Sequence, residues 1–139
     1  MKSTVRNVIA AAALSMLASH ALADVKIGFM ATMSGSAAAL GQDMYDGFML
    51  ALEQNGGKLG GQKIDLIKED DQLKPDVGVQ IVQKFIEKDK VDIVAGVTFS
   101  NVMMAIAKPL ADADMTYVGS NAGPAPLAGK QSSKGFFFA

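Results

Sequence analysis

The chain has 139 residues, with 13 Lys and Arg against 14 Asp and Glu, no cysteine and a single histidine, His20. The missing thiols exclude disulfides and thiolate metal sites, and the near-neutral charge argues against nucleic acid or an anionic membrane as partner. One histidine near the start leaves no base for a Ser-His-Asp triad and no ligand set for zinc, so neither a catalytic residue nor a metal ligand is expected.

The first element is a leader. Lys2 and Arg6 form a basic region, Val8 to Leu17 an apolar one, and Ala21-Leu22-Ala23 a small-x-small cleavage site before Asp24. That order is a secretory signal peptide over residues 1–23, with an apolar stretch too short to span a bilayer. The expected mature chain is residues 24–139, exported to the periplasm and not membrane-spanning after cleavage. Removing 23 residues from 139 leaves 116, enough for one domain. His20 leaves with the leader, as do two of the basic residues.

Val25 to Met30 reads as a strand that ends in a loop of small residues, Thr32 to Ala39. Leu40, Met44, Phe48 and Leu52 then recur at helical spacing, and Asn55-Gly56-Gly57 stops that helix. Gly60-Gly61 turns the chain into a second strand, Ile64 to Ile67, which runs into Glu69-Asp70-Asp71. These three carboxylates lack the spaced ligands of a calcium loop and read as a solvated loop. Pro75 opens a second helix whose buried face carries Val77, Ile81, Val82, Phe85 and Ile86. Val91 to Gly96 is a third strand, and a helix starting near Ser100-Asn101 carries Met103, Ile106, Ala107 and Leu110. Thr116 to Gly119 is a fourth strand, followed by the loop Ser120 to Pro126. Gly135 to Ala139 looks like the start of a fifth, and this apolar ending is expected to need a partner.

Strands alternating with helices of this length make an α/β fold, an open, doubly wound, mostly parallel sheet with right-handed crossovers. In such a sheet ligands bind outside the carboxyl ends of the strands, where the strand order reverses. That rule selects three loops: Thr32 to Ala38, Thr98 to Asn101, and Ser120 to Gly123. All are rich in hydroxyl, amide and glycine, and none carries a charged side chain. Two lead into helices whose free N–H groups would face the site, which suits a small carboxylate held by neutral donors. Ser36 and Ser100 have an alternative role as helix caps, and Phe99 an alternative role in the core. No phosphate-loop pattern occurs, and a serine nucleophile here would find no base.

Taken together, Val25 to Ile106 and then Ser120 to Lys130 resemble the N-terminal lobe of type I periplasmic solute-binding proteins, the branched-chain amino-acid (leucine-binding) group that serves ABC transporters. The likeness is carried in order by the first strand, the Thr-x-Ser-Gly loop, a helix with glycines at 41 and 47, the paired glycines at 56–57 and 60–61, Asp70-Asp71, Pro75, and Gly96 followed by Ser100.

The resemblance implies an uptake component that captures a small carboxylate-bearing solute, a branched-chain amino acid or an aromatic or other organic acid, and hands it to a permease. It implies no enzymatic step and no cofactor. Ser100 would hold the ligand carboxylate, with Asn101 a second donor and Phe99 beside them. Ser34, Gly35, Ala37 and Ala38 would lie against the apolar part of the ligand, and Asn121, Ala122 and Gly123 would add backbone groups and the Asn121 amide. Members of this group are two to three times longer and have a second lobe. The chain is therefore expected to be one lobe of such a protein. A ligand-sensing receptor domain and a truncated fragment without function are the alternatives.

Overall fold

The computed structural model describes residues 24–121 and 123–139. The expected signal peptide and Ala122 lie outside the described residues. The strands are β1 (Val25–Ala31), β2 (Lys58–Leu59), β3 (Gln62–Asp70), β4 (Ile93–Gly96), β5 (Thr116–Gly119) and β6 (Phe136–Phe138). The helices are α1 (Ala38–Gln54), α2 (Pro75–Lys84) and α3 (Ser100–Asp112).

These strands form one sheet in the order β2-β3-β1-β4-β5-β6. Every pairing is parallel except β2 with β3. The expected doubly wound sheet is the one observed. From β1 the chain passes through α1 to β3 on one side, then crosses back to β4 on the other. The strand order therefore reverses at the β1/β4 boundary, where a ligand crevice belongs.

The two faces are covered unequally, and strand alternation explains how. Ile27, Phe29 and Ala31 of β1 point to one face with Ala95, packed beneath Met44, Tyr45 and Phe48 of α1. Met30, Val94 and Tyr117 point to the other, where α2 and α3 bury Ile81, Val82, Phe85, Val102, Ile106 and Leu110 against them. Right-handed crossovers running from β3 to β4 to β5 place both helices on that second face. The first face is consequently uncovered from β5 outward, where Val118 and Phe137 sit in register across two strands. Val118 is 41% and Phe137 57% exposed.

Several boundaries differ from those read in the sequence. The turn at Gly60 and Gly61, at φ +56° and +82°, closes a two-residue hairpin, so β3 starts at Gln62 and gains an antiparallel edge. The third expected strand begins at Ile93 rather than Val91. Val91 is tucked into the core with its N–H donating to Phe85 O, and Lys90 before it adopts φ +55°. The last turn of the second helix is a π turn, Phe85–Asp89. The apolar ending does form a strand, with Phe136 and Phe138 edge-on to the Tyr117 ring.

Candidate functional site

The three hydroxyl-rich loops emerge at the carboxyl edge of the sheet, from β1, β4 and β5. Loop 1 leaves β1 at Thr32 and passes through a 3₁₀ turn, Gly35–Ala37, into α1. Ser34 and Gly35 are exposed; Ala37 and Ala38 are half-buried. Gly35 sits at φ +75° with open space around it, a conformation that favours glycine.

Loop 4 joins β4 to α3 through a distorted backbone. Gly96 has φ +100°, and a side chain there would run into Met30 O. Val97 follows at φ +64°, a costly conformation for a β-branched residue. It is held by a 2.6 Å bond from its N–H to Met30 O and by burial of its side chain. This bend turns the chain so that Thr98 faces β1 while Ser100 begins α3.

Ser100 is not a cap. The residue preceding the helix is Phe99, no side chain caps α3, and the first turn closes with Met103 N–H on Phe99 O at 3.1 Å. Ser36 likewise lies inside the 3₁₀ turn, and neither that turn nor α1 has a side-chain cap. The exposed Ser100 and Asn101 side chains therefore stand beside the unpaired N–H groups at the positive end of a 13-residue helix. Phe99 is half-buried and belongs to neither core cluster, so its core alternative fails. In loop 5, Asn121 is exposed and donates from Nδ2 to Thr98 O at 2.8 Å. Gly123 abuts the Phe138 ring, which would stand 2.6 Å from any Cβ there. The requirement for glycine at 123 is thus set by that ring.

One expectation is overturned. Glu69-Asp70-Asp71 is not a solvated loop, because Asp71 is fully buried. Asp71 Oδ1 accepts the Thr32 hydroxyl at 2.5 Å and the Leu73 N–H at 2.9 Å. Asp70 Oδ1 accepts the Met33 and Gln72 N–H groups, each at 2.8 Å. Burial pushes the Asp70 carboxyl up, but the Ser34 hydroxyl with the N–H groups of Met33, Gln72 and Ser34 outweighs it, and the net pKa lies below 3.8. Both carboxylates are thereby spent on holding loop 1 to the end of β3. The sequence alone assigned no separate role to Thr32, Asp70, Asp71 or Thr98; a threonine within two residues of the end of each of two strands was the available signal. Among the described residues no group of His, Asp and Glu is placed to hold a metal ion. No described helix is long and apolar enough to cross a membrane.

A groove of about 450 Å³ runs along the uncovered sheet face beside α1, lined by Ile27, Phe29, Met44, Phe48, Ile93 and Val118 among others. It reaches the candidate loops only at Ser120. Apart from Asp43 and Ser120 its lining is apolar or glycine, without the convergent donors of a carboxylate site, so that chemistry belongs to the edge.

Residues 24–139 match the family described as periplasmic binding protein. The chain belongs to that family. Its sheet is the N-terminal lobe of the type I fold. It is 35% identical over 82 residues to an amino acid binding protein of Pseudomonas aeruginosa, covering 58% of this chain and 22% of that one. A Leu/Ile/Val-binding protein homolog of Brucella abortus is 28% identical over 123 residues, 87% of this chain and 32% of the relative. Among solved structures, an ABC transporter substrate-binding protein from Sphaerobacter thermophilus superposes with TM-score 0.78 at 32% identity, covering 83% of this chain and 32% of that one. A solute-binding protein of an R. palustris ABC transporter, in complex with benzoate, superposes with TM-score 0.79 at 30% identity and the same coverages. The chain thus spans at most about a third of the length of these relatives.

Proposed function

We propose that this chain forms the ligand-capturing N-terminal lobe of an exported solute-binding component of an ABC-type uptake system, and that its cargo is a small carboxylate. The observation that carries this reading is the head of α3. Among the described residues nothing hydrogen-bonds the exposed Ser100 hydroxyl, which stands beside free helix N–H groups at the point where the strand order reverses, and no charged side chain lies in the three surrounding loops. Neutral donors at a helix N-terminus bind a carboxylate through charge-assisted hydrogen bonds without the desolvation of a buried counter-ion. Ser34, Gly35, Ala37 and Ala38 flank the apolar side of the ligand. Asn101, Asn121 and Gly123 complete the polar rim, with Phe99 as a wall. The work done is binding, not turnover.

The commitment of Asp70 and Asp71 to loop 1 favours an organic acid over an amino acid. Both carboxylates are hydrogen-bonded at the base of loop 1, the second Asp71 oxygen is buried away from the edge, and the three loops supply no other acid to meet an α-ammonium group. The benzoate-bound relative supports the same cargo class. An NMR-detected titration of the chain with benzoate, benzamide and L-leucine tests the reading. Benzoate is expected to saturate the edge residues and benzamide, which lacks the charge, to fail. Equal binding of benzoate and benzamide would refute it.

A further inference from the structure

The backbone ladders that space the strands stop short of the ligand loops. The last paired residues are Ala31 with Asp70, Met30 with Gly96, and Gly96 with Gly119. Beyond them a line of side-chain hydrogen bonds continues across the carboxyl edge. Asn121 Nδ2 donates to Thr98 O at 2.8 Å, and Thr32 N–H donates to Thr98 Oγ1 at 3.0 Å. The Thr32 hydroxyl donates to Asp71 Oδ1, which also takes the Leu73 N–H. The line runs from the end of β5 through β4 and β1 to β3. Thr32 and Asp71 are fully buried and Thr98 is 2% exposed.

Each link attaches within two residues of a candidate ligand contact: Thr32 to Ser34, Thr98 to Ser100, and Asn121 itself. Thr98 is the hub, because its hydroxyl serves loop 1 and its carbonyl serves loop 5. Fixing these loops to one another before ligand arrives lowers the ordering cost of binding. Buried links of this kind are costly to break, since the freed groups find no water.

We infer that Thr32, Asp71 and Thr98 are positioning residues, a preformed latch that sets the spacing of the three ligand loops. The consequence for affinity rests on the reading of this edge as the ligand site; the latch itself belongs to the free chain. Asp71 Oδ2 is buried without a partner among the described residues, so Thr32→Val leaves that carboxylate only the Leu73 N–H and is the harsher variant. Thr98→Val removes one acceptor in an isosteric frame, and Asn121→Ala loosens the exposed end of the line.

Amide hydrogen exchange, read by NMR on the ligand-free chain, tests the latch. Thr98→Val is expected to speed exchange at Thr32 and Met33 by about tenfold or more, with less than about a twofold change at Phe29 and Ile106. Thr98→Ser is expected to restore the protection. Uniform acceleration throughout the chain, or unchanged loop amides, would overturn the proposal. Should Thr98→Val not fold, the decision falls to Asn121→Ala: selective acceleration at Thr32 and Val97, whose N–H groups bond to Thr98 Oγ1 and Met30 O, supports the latch and its absence overturns it. Benzoate added to the same wild-type sample separates the two readings. No binding with intact loop protection defeats the carboxylate site and leaves the latch standing.

Discussion

Gly41, in the first turn of α1, lies so close to the carbonyl of Thr32 that a Cβ at 41 would overlap that oxygen. The helix that covers β1 and β3 is thereby pressed directly onto the end of β1, where the latch and loop 1 begin. Gly47, two turns further along the same helix, would find nothing within 4 Å of an added methyl.

The two glycines of α1 should therefore respond oppositely to alanine. Gly41→Ala forces the helix or loop 1 to move and is expected to destabilise the chain by about 1–3 kcal/mol. Gly47→Ala meets no obstacle and gains helix propensity, about 0.5–1 kcal/mol in favour of folding. Urea unfolding of the two variants measures both signs.

Tyr117 donates its buried hydroxyl to Gly96 O at 2.9 Å, bracing the bend that carries Val97 and Thr98. Tyr117→Phe is expected to cost about 1–2 kcal/mol by leaving that carbonyl without its partner. Burial also pushes the Tyr117 pKa above its ordinary 10.0. The unfolded chain then loses the phenolic proton before the folded one does, so stability falls as pH rises above 10.0. Thermal melts across that range should show a shallower alkaline decline in Tyr117→Phe.

Asp70 gives the opposite limb. Its pKa is held below 3.8 by the hydrogen bonds that outweigh its burial, so its contribution is complete well above pH 3.8 and is lost as pH falls through the lower folded value. Loop 1 amides at Met33 and Ser34 are expected to lose protection in that acid window, and Asp70→Asn to remove the pH dependence. Retained acid sensitivity in the variant would assign it to another carboxylate.

Much of the fold was legible because it rests on local pattern. The apolar runs of β1, β4, β5 and β6 and the spacing of Ile81, Val82 and Phe85 declare their elements without reference to the rest of the chain. The family-bearing loops were legible too, since hydroxyls and glycines after strands carry their chemistry with them. Asp71 was not. Its burial depends on Thr32, 39 residues away, and three consecutive carboxylates look solvated until that partner is in place. The hairpin edge at Lys58–Leu59 is too short to show a period, and Gly41 and Gly47 are indistinguishable until the Thr32 carbonyl is beside one of them.

The central claim, that the carboxyl edge and not the apolar groove takes a carboxylate at Ser100, is tested most directly by mapping amide shifts during a benzoate titration of the chain and of Ser100→Ala. The account predicts shifts at Ser34 to Ala38, Phe99 to Val102 and Asn121 to Gly123. It also predicts weakening in Ser100→Ala by about 1.5–3 kcal/mol, as for a hydrogen bond to a charged group. Shifts centred on Ile27, Phe48 and Ile93, with affinity unchanged in Ser100→Ala, would contradict it.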